Sequence, residues 1–314
     1  MEGLEALLKG KNRCYLMGFA MLWIILFHYS MYGNLLRYEV VDFLFGKGYL
    51  GVDIFFFLSA YGLCFSFSSH SLKEYYSRRL RKLFPLYLVF LAVFLLFFKG
   101  NLQDSWIRIL LLQSSGLVTF TGMDIEWFIP ALILLYAFFP VFFKLFEKLY
   151  HAGFLYSALV IVLIAVLSPY ASSHIFYLFP PRFTIISVGI LTYFAIKDGN
   201  GNYLLGIYLV CALLGLCFIG SDKLNVSMTG SLIMPVILYA LGQLSVKIPE
   251  IKFLDFIGSH TLEIYLAQNL AFNHFMPAST YGFVMTSLIA FAILAAVSVL
   301  LNKTQDLFYK LVER

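Results

Sequence analysis

Stretches of about twenty mostly apolar residues recur from one end of this chain to the other, the length a helix needs to cross a bilayer. Ten segments satisfy that length: 14–32, 48–68, 83–98, 127–145, 153–170, 174–196, 203–220, 228–246, 253–273 and 281–301. Charged residues make up 12% of the 314 and hydrophobic ones 61%, with a mean hydropathy of +0.86. A soluble domain is about a quarter charged, so a soluble globule and a disordered chain are both excluded. The expected fold is all-α: a polytopic transmembrane helical bundle forming one integral-membrane domain over 1–314, with no extramembrane domain.

Loop charge gives the orientation. With the N-terminus in the cytosol and the spans alternating, sixteen Lys and Arg fall inside, five fall outside, and Arg182 lies within a span. Cytosolic loops carry such an excess, so both termini are expected in the cytosol. Segment 105–118 carries Arg108 and Gln113, and counting it as an eleventh span would turn later basic loops outward, so it is assigned to the membrane surface or a re-entrant piece. The net charge of +5 then reflects loop bias, and no nucleic-acid partner is expected. Cys14, Cys64, Cys211 and Cys217 lie in or beside apolar runs without metal-ligand spacing, and no metal site is expected.

Ionisable groups at membrane depth are costly and tend to face a partner, a cavity or a pathway. His28 lies about four residues from the outer end of the first span, roughly 6 Å deep at 1.5 Å per residue. Asp53 lies at a similar depth in the second span, and Glu126 precedes Trp127-Phe128 at the outer start of the fourth. An imidazole with two carboxylates at one level suits acyl transfer, the histidine taking a proton from an attacking hydroxyl while a carboxylate orients it. The structural alternative is a histidine bonded to a backbone carbonyl and an aspartate capping its helix.

Two further features carry charge. Ser77-Arg78-Arg79-Leu80-Arg81-Lys82-Leu83-Phe84-Pro85 sets four cations at the inner start of the third span. Such a cluster either clamps the phosphates of a nucleotide-type donor or anchors the chain at anionic headgroups. Arg182 follows Pro180-Pro181 about eight residues into the sixth span and needs a carboxylate, exposed carbonyls or a bound anion. His260 and Glu263 share a helix face and can pair with each other.

Taken in order, these motifs resemble the acyltransferase-3 family of integral-membrane carbohydrate O-acyltransferases. His28 ends the first apolar run; Gly51-Val52-Asp53-Ile54-Phe55-Phe56-Phe57-Leu58-Ser59 matches the Gly-Val-Asp segment closely; and Arg78 to Pro85 followed by Tyr87 is similar to the arginine-rich approach to the third helix. Glu126-Trp127-Phe128-Ile129-Pro130, Arg182 with Gly189, and Gly258 through Tyr265-Leu266 complete the series. The chain departs from the pattern at Met17, where a basic residue is common, with Arg13 one turn earlier. Gln268 stands where many members carry histidine, Ala60 where many carry glycine, and aligning on Pro85 turns the Arg-x-x-Arg pair into Arg79 and Lys82.

The resemblance implies transfer of an acyl group, usually acetyl, from cytosolic acyl-CoA to a hydroxyl of a cell-surface polysaccharide or lipid-linked sugar in the plasma membrane of a bacterium. It implies His28 as general base, with Asp53 and Glu126 in the catalytic group, and Arg78, Arg79, Arg81, Lys82 and Arg182 toward the donor. The competing reading is a transporter or flippase for a lipid-linked glycan, although no repeat relates two halves of the chain.

Overall fold

The computed structural model describes residues 1–32, 39–98, 128–172, 180–219, 223–244, 251–266, 268 and scattered positions from 292 to 311. The described regular structure is helical: α1 (Glu2–Leu7), α2 (Gly10–Tyr32), α3 (Glu39–Gly46), α4 (Leu50–Ser68), α5 (Leu72–Phe98), α6 (Phe128–Ala152), α7 (Phe154–Ser172), a 3-10 turn (Pro180–Arg182), α8 (Phe183–Lys197), α9 (Gly201–Phe218), α10 (Lys223–Gln243) and α11 (Lys252–Ser259). Among them α2 over Gly10–Ser30, α4, α6 and α9 are long and apolar enough to cross a membrane. The outward faces agree with lipid contact: Leu155, Leu159 and Leu163 on α7, and Leu209 and Leu213 on α9, are each more than half exposed. Apolar stripes of this extent are abnormal for a surface facing water.

Helix ends follow local chemistry. Gly153, between α6 and α7, has φ +116, and Gly199, between α8 and α9, has φ +68, conformations that side chains resist. Asn200 then caps α9, its side-chain oxygen accepting from Tyr203 N–H at 3.1 Å. At α5, Ser71 and Glu74 form a reciprocal box: Ser71 N–H and Oγ each donate to Glu74 Oε2 at 3.0 Å, and Glu74 N–H donates to Ser71 Oγ at 3.3 Å.

Three expectations shift here. The helix holding the basic run begins at Leu72, well before the third span expected from residue 83, because the Ser71 cap starts it ahead of the apolar stretch. Arg182, read as about eight residues into the sixth span, closes a 3-10 turn at the head of α8, and positions 173–179 before that turn lie outside the described residues. Pro180 and Pro181 lack the N–H that an interior position requires and are tolerated where a helix starts. Short α3 lies in the segment read as an outer loop, with Leu44 C=O accepting from Trp23 Nε1 at 2.8 Å. Segment 105–118, the end of the ninth span and most of the tenth lie outside the described residues.

Glycines let α2 approach two neighbours closely. A Cβ on Gly51 of α4 would come within 2.5 Å of Ala20 C=O, and one on Gly258 of α11 would collide with Cys14 C=O. Gly18 on α2 meets Leu254 C=O in the same way. With Gly189 of α8 against Phe57 of α4, the central layer is α11, α2, α4 and α8 in that order.

Candidate acyl-transfer site

A cavity of about 160 Å³ opens between α2, α4, α5, α6 and the residues after α11. Helix α2 supplies Arg13, Met17, Met21 and Ile24; α4 supplies Val52, Phe55, Ser59, Gly62 and Leu63. The α2 positions are spaced by three or four, so they form one face, and His28 is the next residue on it. Arg13 and His28 are fifteen residues apart on this helix, about 22 Å along its axis at 1.5 Å per residue.

One end of the cavity is cationic. Arg13, Arg79 and Lys82 all line it. Arg13 reaches across to α4, donating from Nη2 to Leu58 C=O at 3.2 Å over the bare face of Gly62, where a Cβ would lie 2.7 Å from the guanidinium. The guanidinium of Arg79 sits 5.7 Å from the Tyr136 ring centroid and 5.9 Å from that of Tyr75, in cation–π range. Nε of Arg13 and Nε of Arg79 are buried without a hydrogen-bond partner among the described residues. Buried Glu263 lies near Lys82 and offsets part of this charge. Arg78 and Arg81 are exposed and do not line the cavity. Arg79 and Lys82, three apart, are neighbours on α5; Arg78, one turn before Lys82, stays outside the lining all the same.

His28 lies one turn beyond Ile24 on the same face of α2, and neither it nor Gln268 is among the residues that line the cavity. The Gln268 amide lies beside the His28 ring. Gln268 is fully buried, and neither its Nε2, its Oε1 nor Nδ1 of His28 has a hydrogen-bond partner among the described residues. Tyr265 and Leu262, on the same segment as Gln268, line the cavity, as does Phe128.

Asp53 points elsewhere. It accepts from Ser231 Oγ at 2.7 Å through Oδ1, and the same oxygen lies 3.5 Å from Nε of Arg182. Asp53 is 0% and Arg182 2% exposed. The expectation that Asp53 orients His28, and that Arg182 faces the donor, therefore meets a different described set of contacts: the two residues pair with each other, on the side of α4 that faces α10 and the Pro180–Arg182 turn. Val52 and Phe55 face the cavity instead. Glu126 lies outside the described residues. Among the described residues no cluster of His, Cys, Asp and Glu could hold a metal ion.

The profile of the acyltransferase-3 acyltransferase domain matches residues 15–303. The chain belongs to the acyltransferase-3 family. This acyltransferase has no match among curated proteins and none among solved structures. Its family and its apolar helices together make it a membrane acyltransferase.

Two residues of the acyltransferase's cavity were weakly marked in sequence. Arg13 carried only its position one turn before Met17, and Tyr136 carried no signal at all, being one aromatic among many. Ser231, the partner of Asp53, was likewise hidden within an apolar run.

Proposed function

We propose that the protein moves a short acyl group, acetyl foremost, from cytosolic acyl-CoA to a hydroxyl of a cell-surface polysaccharide or lipid-linked sugar. It does so in the plasma membrane of a bacterium, as a ten-span bundle with both termini in the cytosol. The observation that carries this reading is the cavity whose lining runs from Arg13, Arg79 and Lys82 along the face of α2 that leads to His28.

The chemistry follows from that layout. Among the described residues, three cations against one nearby carboxylate leave a positive end suited to the phosphates of acyl-CoA, and guanidinium groups grip phosphate with paired N–H donors. The apolar middle, Met17, Met21, Ile24 and Phe55, accepts an uncharged arm and excludes water from the thioester. His28, as general base, takes the proton of the attacking hydroxyl; the hydroxyl oxygen bonds to the thioester carbonyl carbon. The carbon–sulfur bond then breaks and the imidazolium returns its proton to the departing thiolate. Asp53 and Arg182 hold α4 against α10 and the turn before α8, and so fix the α4 wall of the cavity.

The test is the O-acyl content of surface glycans, measured by mass spectrometry in a deletion strain complemented with wild type or His28→Ala at equal membrane abundance. Restoration of an acyl mass by wild type alone is the expected result. Restoration by both would remove His28 from the chemistry. A deletion that alters glycan export without changing acyl mass would replace transfer with transport.

A further inference from the structure

We propose that Gln268 and His28 together seat the acceptor's attacking hydroxyl, Gln268 donating to its oxygen while His28 Nδ1 accepts its proton. This rests on the acyl-transfer reading given above.

Three observations converge. Gln268 is fully buried, yet both polar atoms of its amide are unpartnered among the described residues. Burying an amide without hydrogen bonds is unfavourable, and a hydrocarbon side chain of the same size would pack there at lower cost. Nδ1 of His28, beside it, is also buried and unpartnered. Lastly, Asp53, the carboxylate nearest in sequence logic, has its Oδ1 committed to Ser231 and Arg182. Among the described residues, the polar side chain beside His28 is thus an amide and not a carboxylate.

A hydroxyl complements this pair. With the imidazole proton on Nε2, Nδ1 is an acceptor; the amide Nε2–H is a donor. A hydroxyl placed between them donates to one and accepts from the other, which aligns its O–H bond with the base and leaves a lone pair for the thioester carbon. The proton passes from the hydroxyl to Nδ1 as the new carbon–oxygen bond forms, and then to the thiolate released by carbon–sulfur cleavage. Thioester and alcohol give ester and thiol, with nothing left over. An amide in this place holds the hydroxyl without competing for its proton, which a carboxylate would do.

The experiment uses membranes of a deletion strain, which contain the native acceptor, expressing wild type, Gln268→Leu, Gln268→Met or Arg79→Ala at matched abundance. Radiolabelled acetyl-CoA is the donor, and label in the glycan fraction is followed against donor concentration. Gln268→Leu and Gln268→Met are expected to lower the maximal rate tenfold or more with donor KM within twofold of wild type, and to melt at or above the wild-type temperature in detergent. Arg79→Ala is expected to raise donor KM. A wild-type rate in both Gln268 variants, a raised donor KM at an unchanged maximal rate, or a clear drop in melting temperature would each overturn the proposal. Wild-type membranes that transfer no label would instead overturn the acyl-transfer reading itself, a result distinct from any of these.

Discussion

Oδ1 of Asp53 lies 3.5 Å from Nε of Arg182, and the two side chains are 0% and 2% exposed. Ser231 Oγ donates to that same oxygen at 2.7 Å. A pair this deep is costly to assemble and more costly to break, because removing one partner strands the other's charge. Asp53→Ala is therefore expected to destabilise the protein by about 3–5 kcal/mol. Replacing both partners with apolar residues, Asp53→Leu with Arg182→Met, should recover most of that loss. Melting of the two variants against wild type in detergent checks the expectation; an undamaged Asp53→Ala would show that the pair does not bind the helices together.

Close helix contact at α2 and α11 makes a second expectation. Gly258→Val must push the backbone of Cys14 away, and overpacking of this kind costs about 1–3 kcal/mol. Gly46, with nothing within 4 Å of its Cβ position, should accept alanine without loss. Yield of monodisperse protein by fluorescence-detected size-exclusion chromatography separates the two.

The basic run should not act as a unit. Arg79→Ala is expected to raise the donor KM about tenfold or more, the scale of a lost hydrogen bond to a charged group. Arg81→Ala, whose side chain is exposed outside the cavity, should change it less than twofold. Initial rates against acetyl-CoA concentration decide; equal effects would return the cluster to a simple surface anchor.

At the start of α5, hydrogen bonds from Ser71 N–H and Oγ hold the Glu74 carboxyl below its ordinary value. A depressed folded-state value means that the cap's contribution is present above the unfolded carboxylate value, about 4.3, and is lost as pH falls through the folded one. Melting temperature followed from pH 7 downward should decline in wild type over that acidic window, with a smaller decline in Glu74→Gln. Identical curves would mean that the cap does not titrate with folding.

Much of the fold was legible because hydropathy reports what lipid requires. The expected segments 14–32 and 48–68 coincide with α2 and α4 to within a few residues. What hydropathy missed are pieces whose reason is local or tertiary: α1 and α3 are too short to cross, and the first turns of α5 are polar. In the site, residue type was readable but direction was not. The four cations from Arg78 to Lys82 read as one cluster until α5 sends Arg79 and Lys82 into the cavity and leaves Arg78 and Arg81 outside. Asp53 could be placed at the depth of His28, but which side of α4 it occupies depends on Ser231 and Arg182, far away in the chain.

Because one uninterrupted helix carries both Arg13 and His28, the cationic end of the cavity and the histidine beyond it share a single angular phase and a fixed separation. An alanine inserted into α2 between them would turn one end by about 100° against the other while lengthening the helix by only about 1.5 Å. Seven inserted residues would nearly restore the angle and add about 10 Å. Rotation and reach can thus be varied independently on the same rod, and whichever variant keeps activity tells whether the helix serves as a compass or as a ruler.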